Sequence, residues 1–250
     1  MTVPHPANHA RRRNLAIVAV AVVIVVVAAG GYGLWYLFLR PAGPAAVSSE
    51  SLALPSAAAS SPLPSGGLTG TWTVDTSIGS SSDSTDSFVG YRVQEQLASI
   101  GANTAVGRTP KVSGTLTISG TQLTAATITA DLTALASDDQ RRDGQLDAHG
   151  IETGTYPTAT FKLSAPVDLG ADPTDGHEVD VTATGELTLH GQTKTVQIAL
   201  KARLSGSIIE VVGSLPIAFS DYGIQAPTSF AVLSVSDQGT MELQLFFTHA

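Results

Sequence analysis

An uncharged, strongly apolar segment near the N-terminus, residues 15–39, constrains this chain more than any other feature. The segment is 25 residues long and directly follows a short region with three consecutive arginines, residues 11–13. About 20 apolar residues in a helix cross a bilayer core, and flanking arginines are retained on the cytoplasmic side. The sequence therefore predicts a single-pass protein of the cell membrane. Residues 1–14 form a basic cytoplasmic tail, residues 15–39 form the transmembrane helix, and the C-terminal part is extracytoplasmic.

The length of this segment favours an uncleaved anchor. Apolar regions of signal peptides usually span only about 7–15 residues. The aromatic residues Trp35, Tyr36 and Phe38 cluster at the outer end, where amphipathic rings favour the membrane interface. The alternative is a signal peptide cleaved near residues 28–30 or at Ala42.

Residues 40–69 differ in composition from both neighbouring parts of the chain. They are rich in Pro, Ala, Ser and Gly, and beyond Arg40 their only charge is Glu50. Such a segment buries too little apolar surface to order itself, so it is predicted to be a disordered linker. At about 3.3–3.6 Å per residue, its extended reach is up to roughly 100 Å. Residues 70–250 have the length of one globular domain with its own core.

The charge of residues 70–250 limits the partners of this domain. It holds nine of the 13 Lys and Arg residues but 20 of the 21 Asp and Glu residues, which gives a net charge near −11. An acidic surface disfavours nucleic acid, which requires cations opposite its phosphates. The chain has no cysteine, so disulfides, thiolate metal sites and cysteine nucleophiles are excluded.

The domain has the pattern of antiparallel β-structure. Apolar and polar residues alternate most clearly over residues 195–204, where the even-numbered positions are apolar. Turns are predicted at Gly120 and at Gly191-Gln192. Ten short strands at hairpin spacing indicate a closed barrel or a sandwich. They are predicted at residues 71–76, 87–93, 111–119, 122–131, 158–164, 179–190, 195–204, 208–217, 230–235 and 240–248.

One polar stretch, residues 137–146, interrupts this pattern. Ser137 followed by Gln140 fits a capping box at the start of a helix. We therefore expect a short helix over residues 138–149.

The usual sequence motifs of catalysis are missing from the chain. It contains no G-x-S-x-G, H-E-x-x-H, Walker or G-x-G-x-x-G motif. The histidines of the domain are isolated, without the paired spacing that metal binding favours. We expect no enzymatic activity, no cofactor and no metal site.

Two polar clusters are candidates for a site. One is Arg142-Asp143 in the helical stretch. The other lies on the strand that contains Tyr91, Val93 and Glu95, which share one face because side chains alternate along a strand, and it includes Arg108 further along the chain. These side chains point polar groups into a cavity mouth, or they form an ordinary buried ion pair, such as Arg142 or Arg108 with a carboxylate, that closes the barrel.

The order of motifs along residues 70–250 resembles that of the YceI-like family of polyisoprenoid-binding, lipocalin-like proteins. No single motif is specific, but their order and spacing match across the domain. The motifs are Trp72-Thr73-Val74-Asp75, Val112-x-Gly114-x-Leu116-x-Ile118, Arg142-Asp143-x-x-Leu146 with Tyr156-Pro157-x-Ala159-Thr160-Phe161, Gly185-x-Leu187-x-Leu189-x-Gly191-x-Thr193, and Asp221-Tyr222-Gly223-Ile224.

The resemblance implies an all-β fold, an extended eight-stranded antiparallel lipocalin-like barrel with helical cover at Arg142-Asp143. It also implies a long apolar lumen for an isoprenoid or another amphiphilic lipid. Where many members have F-x-V-x-H in the second strand, this chain has Tyr91 at the first of these positions and Glu95 at the last. A Tyr/Glu pair suits a hydroxyl, amine or quinone head group better than a pyrophosphate.

The leading hypothesis is therefore a membrane-anchored, extracytoplasmic lipid-binding protein. The alternative is an envelope stress or interaction protein whose barrel is filled by its own side chains, because alternation alone does not distinguish a filled barrel from a hollow one. The candidate ligand-binding residues are Tyr91, Val93, Glu95, Arg108, Arg142, Asp143, Phe161 and Tyr222.

Overall fold

The computed structural model describes residues 21–28, 30–31, 43–47, 67–98, 101–170, 176–226 and 232–250. The chain divides into two units, Met1–Ala42 and Gly43–Ala250. Residues 21–28 and 30–31 are helical, and the rest of the predicted membrane span lies outside the described residues. Within the described ranges, no helix is both long enough and apolar enough to cross a bilayer. The membrane span therefore stays a prediction.

In the second unit, the described residues form a β-structure with one short α-helix. The helix α1 is Gln140–Gln145, and a π-helical turn, Leu146–Gly150, continues it. The strands are β1 Gly70–Val74, β2 Phe88–Leu97, β3 Gly101–Thr109, β4 Val112–Ser119, β5 Gln122–Asp131, β6 Ala136–Ser137, β7 Thr158–Leu163, β8 Val167–Asp168, β9 Glu178–Leu189, β10 Gln192–Ser205, β11 Ile208–Ala218 and β12 Val232–His249.

Eight of these strands close into an antiparallel barrel. Their order is β1-β4-β5-β7-β9-β10-β11-β12, and β12 pairs back onto β1. This closure confirms the predicted eight-stranded barrel and excludes the sandwich.

The sheet branches at β12, which is 18 residues long. Near its C-terminal end Phe247 pairs with Val74 of β1, whereas the stretch from Val232 to Gln244 pairs with β2. Strands β2 and β3 therefore extend the sheet beyond the closed barrel, and β6 pairs with the end of β3.

The alternation predicted for residues 195–204 is confirmed in β10. Ile198 and Leu204 face inward and are buried, whereas Gln197 and Ala199 are exposed. The hairpin between β9 and β10 turns one residue earlier than predicted, at His190-Gly191, and both residues have positive φ angles, 50° and 70°. Two positive φ angles suit a two-residue hairpin loop, because this turn matches the right-handed twist of the strands.

The sequence predictions about the elements were wrong at several points. The strand β3, residues 101–109, and the short strands β6 and β8 were not predicted. Residues 230–235 and 240–248 were predicted as separate strands, but the described parts of both belong to β12. The N-cap of α1 is Asp139, whose side chain accepts a hydrogen bond from the Arg141 amide, so the capping box at Ser137 does not form. The predicted helix itself is confirmed over residues 140–149.

Candidate functional site

The barrel encloses an apolar cavity. Its volume is about 150 Å³, measured as the space open to the centre of a water-sized sphere. The wall is apolar apart from Thr160, His177 and Arg203. Inward-facing residues of several strands supply it, among them Leu116, Ile118, Leu123, Ile128, Phe161, Leu163, Val181, Leu187, Ile198, Leu200, Val211, Met241, Leu243, Leu245 and Phe247.

A missing side chain shapes this wall at Gly185. A Cβ atom at Gly185 would lie 2.6 Å from Cε2 of Phe161, closer than side-chain packing permits. The glycine therefore lets the Phe161 ring approach β9 closely, and the ring packs against both apolar clusters of the core. Phe161 is the member of the predicted ligand-binding set that lines the cavity.

One end of the barrel is closed by packed side chains. Tyr222 is buried there with Leu132, Ile151 and Leu189. Burial raises the pKa of the Tyr222 hydroxyl above its ordinary value. The ring of His190, at Nδ1, lies 2.9 Å from the Tyr222 carbonyl. Tyr222, which was predicted to bind ligand, therefore lies among the packed side chains that close this end of the barrel, here called the plug.

The opposite end of the cavity carries its more polar lining. His177, which is exposed, directly precedes β9, and Arg203 lies near the end of β10. Leu68 and Leu169 line the cavity near the same end. At this end of the barrel, His177 is both part of the cavity wall and exposed on the surface.

The predicted polar cluster forms beside β2 and α1. Tyr91, Val93 and Glu95 share the face that the alternation predicted, and Val93 and Glu95 are buried. A guanidinium nitrogen of Arg142 donates to Oε1 of Glu95 at 2.7 Å, and the amide of Asn103 donates to the same oxygen at 2.6 Å. The buried ion pair considered from the sequence is therefore present.

The electrostatics of this cluster favour a charged Arg142 and a neutral Tyr91. Burial lowers the pKa of Arg142, but its hydrogen bonds to Asp138 and Glu95 outweigh burial, so the pKa is raised above its ordinary value. Burial raises the pKa of the Tyr91 hydroxyl; Arg142 opposes the rise and Asp143 adds to it. The hydroxyl is buried and has no hydrogen-bond partner among the described residues.

Asp143 organises the start of the helix. Its carboxylate accepts hydrogen bonds from the Ser137 amide, at 3.0 Å, and from the Ser137 hydroxyl, at 2.6 Å. Asp143 therefore fixes α1 against β6, while Arg142 fixes it against β2.

Arg108 lies on the opposite face of the sheet from Tyr91. It pairs across strands with Gly90, and its guanidinium carbon lies 4.0 Å from the centre of the Phe88 ring. Nη2 of Arg108 is 4.0 Å from Glu242, whose other oxygen accepts from Nε of Arg92 at 2.9 Å. Burial lowers the pKa of Arg108, and Glu242 opposes the shift.

The eight predicted residues thus separate into four groups. Phe161 lines the cavity, and Tyr222 belongs to the plug. Tyr91, Val93, Glu95, Arg142 and Asp143 gather around α1, and Arg108 lies on the outer face. The wall, as far as the structure describes it, includes none of the polar candidates. Sequence analysis missed most of the wall, although the alternation over residues 195–204 put four of its residues on one face: Ile198, Leu200, Ala202 and Leu204.

Comparison with known proteins agrees with this architecture. A UPF0312 protein of Vibrio cholerae serotype O1 is 29% identical over 148 residues, which cover 56% of this chain and 71% of that protein. A polyisoprenoid binding domain from Saccharophagus degradans has the same fold with a TM-score of 0.57 at 21% identity, covering 73% of this chain and 99% of that domain. BcnA of Burkholderia cenocepacia matches with a TM-score of 0.50 at 23% identity, over 64% of this chain and 95% of that chain.

The family model of the YceI-like domain matches residues 80–247. This range contains β2 to β11 and nearly all of β12. It therefore includes the cluster around α1 and the whole cavity wall except Leu68. The chain belongs to the YceI-like domain family.

Proposed function

We propose that the barrel binds an isoprenoid or another amphiphilic lipid, with the apolar tail in the cavity. The observation that carries the proposal is the cavity wall, which is apolar except at Thr160, His177 and Arg203. A wall of this kind provides apolar contact surface for an apolar tail, and it provides few hydrogen-bond partners for a polar substrate.

The energetics suit a tail ligand. Transfer of apolar surface from water stabilises a complex by about 25 cal/mol per Å², so a tail that buries about 300 Å² gains roughly 7 kcal/mol before the costs of association. The cavity volume of about 150 Å³ is at least about ten times the 10–15 Å³ that one water molecule needs by the same kind of measure. Flexible wall residues such as Met241 can adjust to the shape of a tail.

The name of the Saccharophagus degradans neighbour supports the class of ligand. That protein is described as a polyisoprenoid binding domain, and the present chain shares its fold. We extend the class of ligand, rather than a particular lipid, to this chain.

The cluster around α1 is the proposed contact for a polar head group. Tyr91 pairs across strands with Met241, which lines the cavity, so the cluster begins next to the wall. The buried Tyr91 hydroxyl, which has no partner in the part of the chain that the structure describes, offers a neutral hydrogen bond. A hydroxyl, amine or quinone head group fits this site and the acidic domain better than a pyrophosphate does.

Membrane anchoring at residues 15–39 and an extracytoplasmic barrel complete the proposal. An anchored barrel stays at one membrane, which favours local storage, sensing or short-range transfer of lipid over long-range shuttling. Cleavage near residues 28–30 would release the barrel from the membrane and favour long-range shuttling of lipid instead. We propose binding rather than catalysis, because neither the sequence motifs nor the polar clusters provide a nucleophile with an adjacent base.

A filled barrel that acts through protein interactions is the second candidate. The packed plug around Tyr222 is the observation that favours it, because there the interior is filled by the protein's own side chains. The apolar cavity favours the lipid-binding function.

Lipid analysis tests the proposal. The full-length protein would be incubated with an extract of bacterial membrane lipids, re-isolated and analysed by native mass spectrometry. We expect a discrete mass increase from one bound amphiphile. Repeated absence of any bound amphiphile would contradict lipid binding and favour the filled barrel.

A further inference from the structure

Residues 43–47, within the predicted linker, lie against the outer face of the sheet. The carbonyl of Pro44 accepts a hydrogen bond from Nη2 of Arg92 at 2.8 Å, and the carbonyl of Ala45 accepts one from Nη2 of Arg108 at 3.1 Å. At Gly43, a Cβ atom would lie 3.5 Å from Cγ2 of Val106. Neighbouring strands β2 and β3 therefore hold consecutive residues of the linker.

Contacts within the barrel domain hold both arginines, Arg92 and Arg108, independently of the linker. Glu242, with only 3% of its side chain exposed, accepts from Arg92 at 2.9 Å and lies 4.0 Å from Arg108. The Arg108 guanidinium also stacks on Phe88 at 4.0 Å. A guanidinium that is already ordered loses less conformational entropy when it donates a further hydrogen bond.

The chemistry of residues 43–47 matches this surface. The segment carries no charged side chain, and Pro44 has no amide hydrogen that would need an acceptor. The Glu242 carboxylate alone faces the guanidinium groups of Arg92 and Arg108. Some of their N–H groups therefore remain available to donate to carbonyl oxygens of the linker. At the far end of the segment, Val47 lines a shallow pocket with Ala199 and Ser214.

We propose that Arg92, Arg108, Glu242 and Val106 form a docking surface for residues 43–47, so that this part of the linker is a strap bound to the barrel. The docked strap divides the linker. In sequence, only residues 40–42 then separate the strap from the predicted span, instead of the whole of residues 40–69. This consequence for the tether rests on the proposed membrane anchor, whereas the docking itself does not.

Disulfide trapping in the full-length protein tests the strap. A Cβ atom at Gly43 would lie 3.9 Å from Cβ of Val106, which suits a disulfide, and the chain has no cysteine of its own. We expect the Gly43→Cys/Val106→Cys variant to form an intramolecular disulfide rapidly under mild oxidation. Gly43→Cys/Ser113→Cys, with the second position exposed on β4, should react at least tenfold more slowly. Equal rates for the two pairs would overturn the proposal.

The role of the arginines is tested in the same trapping assay. Adding Arg92→Gln and Arg108→Gln to the reactive pair should lower the rate of disulfide formation at least tenfold, with far-UV circular dichroism as the check on folding. An unchanged rate in the folded variant would contradict the docking surface.

A second variant changes only the strap, in case the arginine variant fails to fold. Glycine at positions 44–46 should lower the rate of disulfide formation several-fold. An unchanged rate would again contradict the proposal. Neither result depends on lipid binding or on the anchor.

Discussion

Arg142 and Glu95 form a buried ion pair that joins α1 to β2, with 2.7 Å between Nη2 and Oε1 and with side-chain exposures of 14% and 3%. Glu95 lies on the same face of β2 as Tyr91, and Arg142 also binds Asp138 at 2.6 Å. The pair therefore holds the helical cover in place and sets the charge around the candidate head-group site.

Removing Arg142 alone should strongly destabilise the protein. Arg142→Met leaves the Glu95 carboxylate buried without its cation, and breaking a buried pair in this way costs about 3–5 kcal/mol. Arg141→Met is the matched control, because the neighbouring arginine is exposed on the same helix. Urea unfolding of the two variants measures the difference. Equal stability of both variants would show that the pair does not hold α1.

The double variant Glu95→Gln/Arg142→Met tests whether the loss of stability comes from the unpaired buried charge of Glu95. It removes the buried charge together with its partner, so part of the stability lost in Arg142→Met should return. A double variant as unstable as the sum of the two single variants would contradict this coupling.

The pH dependence of stability should reveal the buried Glu210. Burial raises the pKa of this carboxyl above its ordinary value of 4.5, and Arg203 opposes the rise. A raised carboxyl pKa gives stability that is present below the ordinary value and is lost as the pH rises through the folded-state value. Because glutamine does not ionise, Glu210→Gln does not lose this stability. Its free energy of unfolding should therefore rise relative to that of the wild type between pH 4 and pH 7.

Unfolding at several pH values across this range measures that gain. Glu186→Gln, at an exposed position of β9, controls for the change in net charge. A Glu210→Gln difference that stays constant or shrinks as the pH rises would contradict the assignment.

The predicted membrane topology is testable with single cysteines, because the chain has none. In intact cells, Thr121→Cys, exposed in the turn between β4 and β5, should react with a membrane-impermeant maleimide. Thr2→Cys in the predicted cytoplasmic tail should react only after permeabilisation. Labelling of Thr2→Cys in intact cells, or protection of Thr121→Cys, would contradict the predicted orientation.

The eight-stranded barrel followed from the resemblance to the YceI-like family. Local alternation predicted antiparallel β-structure, in a barrel or a sandwich, because each face of a strand has one environment. It failed in β12, where Ser236-Asp237-Gln238-Gly239 has the composition of a turn. In the structure these residues lie within the strand, and the pairing with β2 shifts register between Val235 and Gly239. A β-bulge absorbs the extra residues, and no short-range signal distinguishes it from a turn.

The strand β3 was missed for a related reason. Its small residues, including Gly101, Ala102 and Gly107, give a weak local preference for β-structure. Long-range contacts compensate for this, because Gly107 lies beneath the Tyr91 ring and pairs with Ser137. The position of Arg108 on the outer face likewise follows from the β2–β3 register rather than from its own neighbours in sequence.

The candidate site was predictable in part. The shared face of Tyr91 and Glu95 follows from strand periodicity, whereas the choice of Arg142 as partner depends on where α1 packs. Periodicity also identified inward-facing residues such as Leu200, but whether they leave a cavity depends on how their volumes sum across the barrel.

Lipid binding in the cavity is tested most directly by photo-crosslinking with one matched pair of variants. Ala202 lines the cavity, whereas Ala199, on the same strand, is exposed on the outer face. Cells that express the full-length protein would receive a diazirine-bearing isoprenoid alcohol, and the adducts would be mapped by peptide mass spectrometry. We expect adducts at wall residues such as Leu200 and Met241. They should fall at least tenfold in Ala202→Phe and persist in Ala199→Phe. Adducts that avoid the wall, or that are equally abundant in both variants, would contradict lipid binding in the barrel.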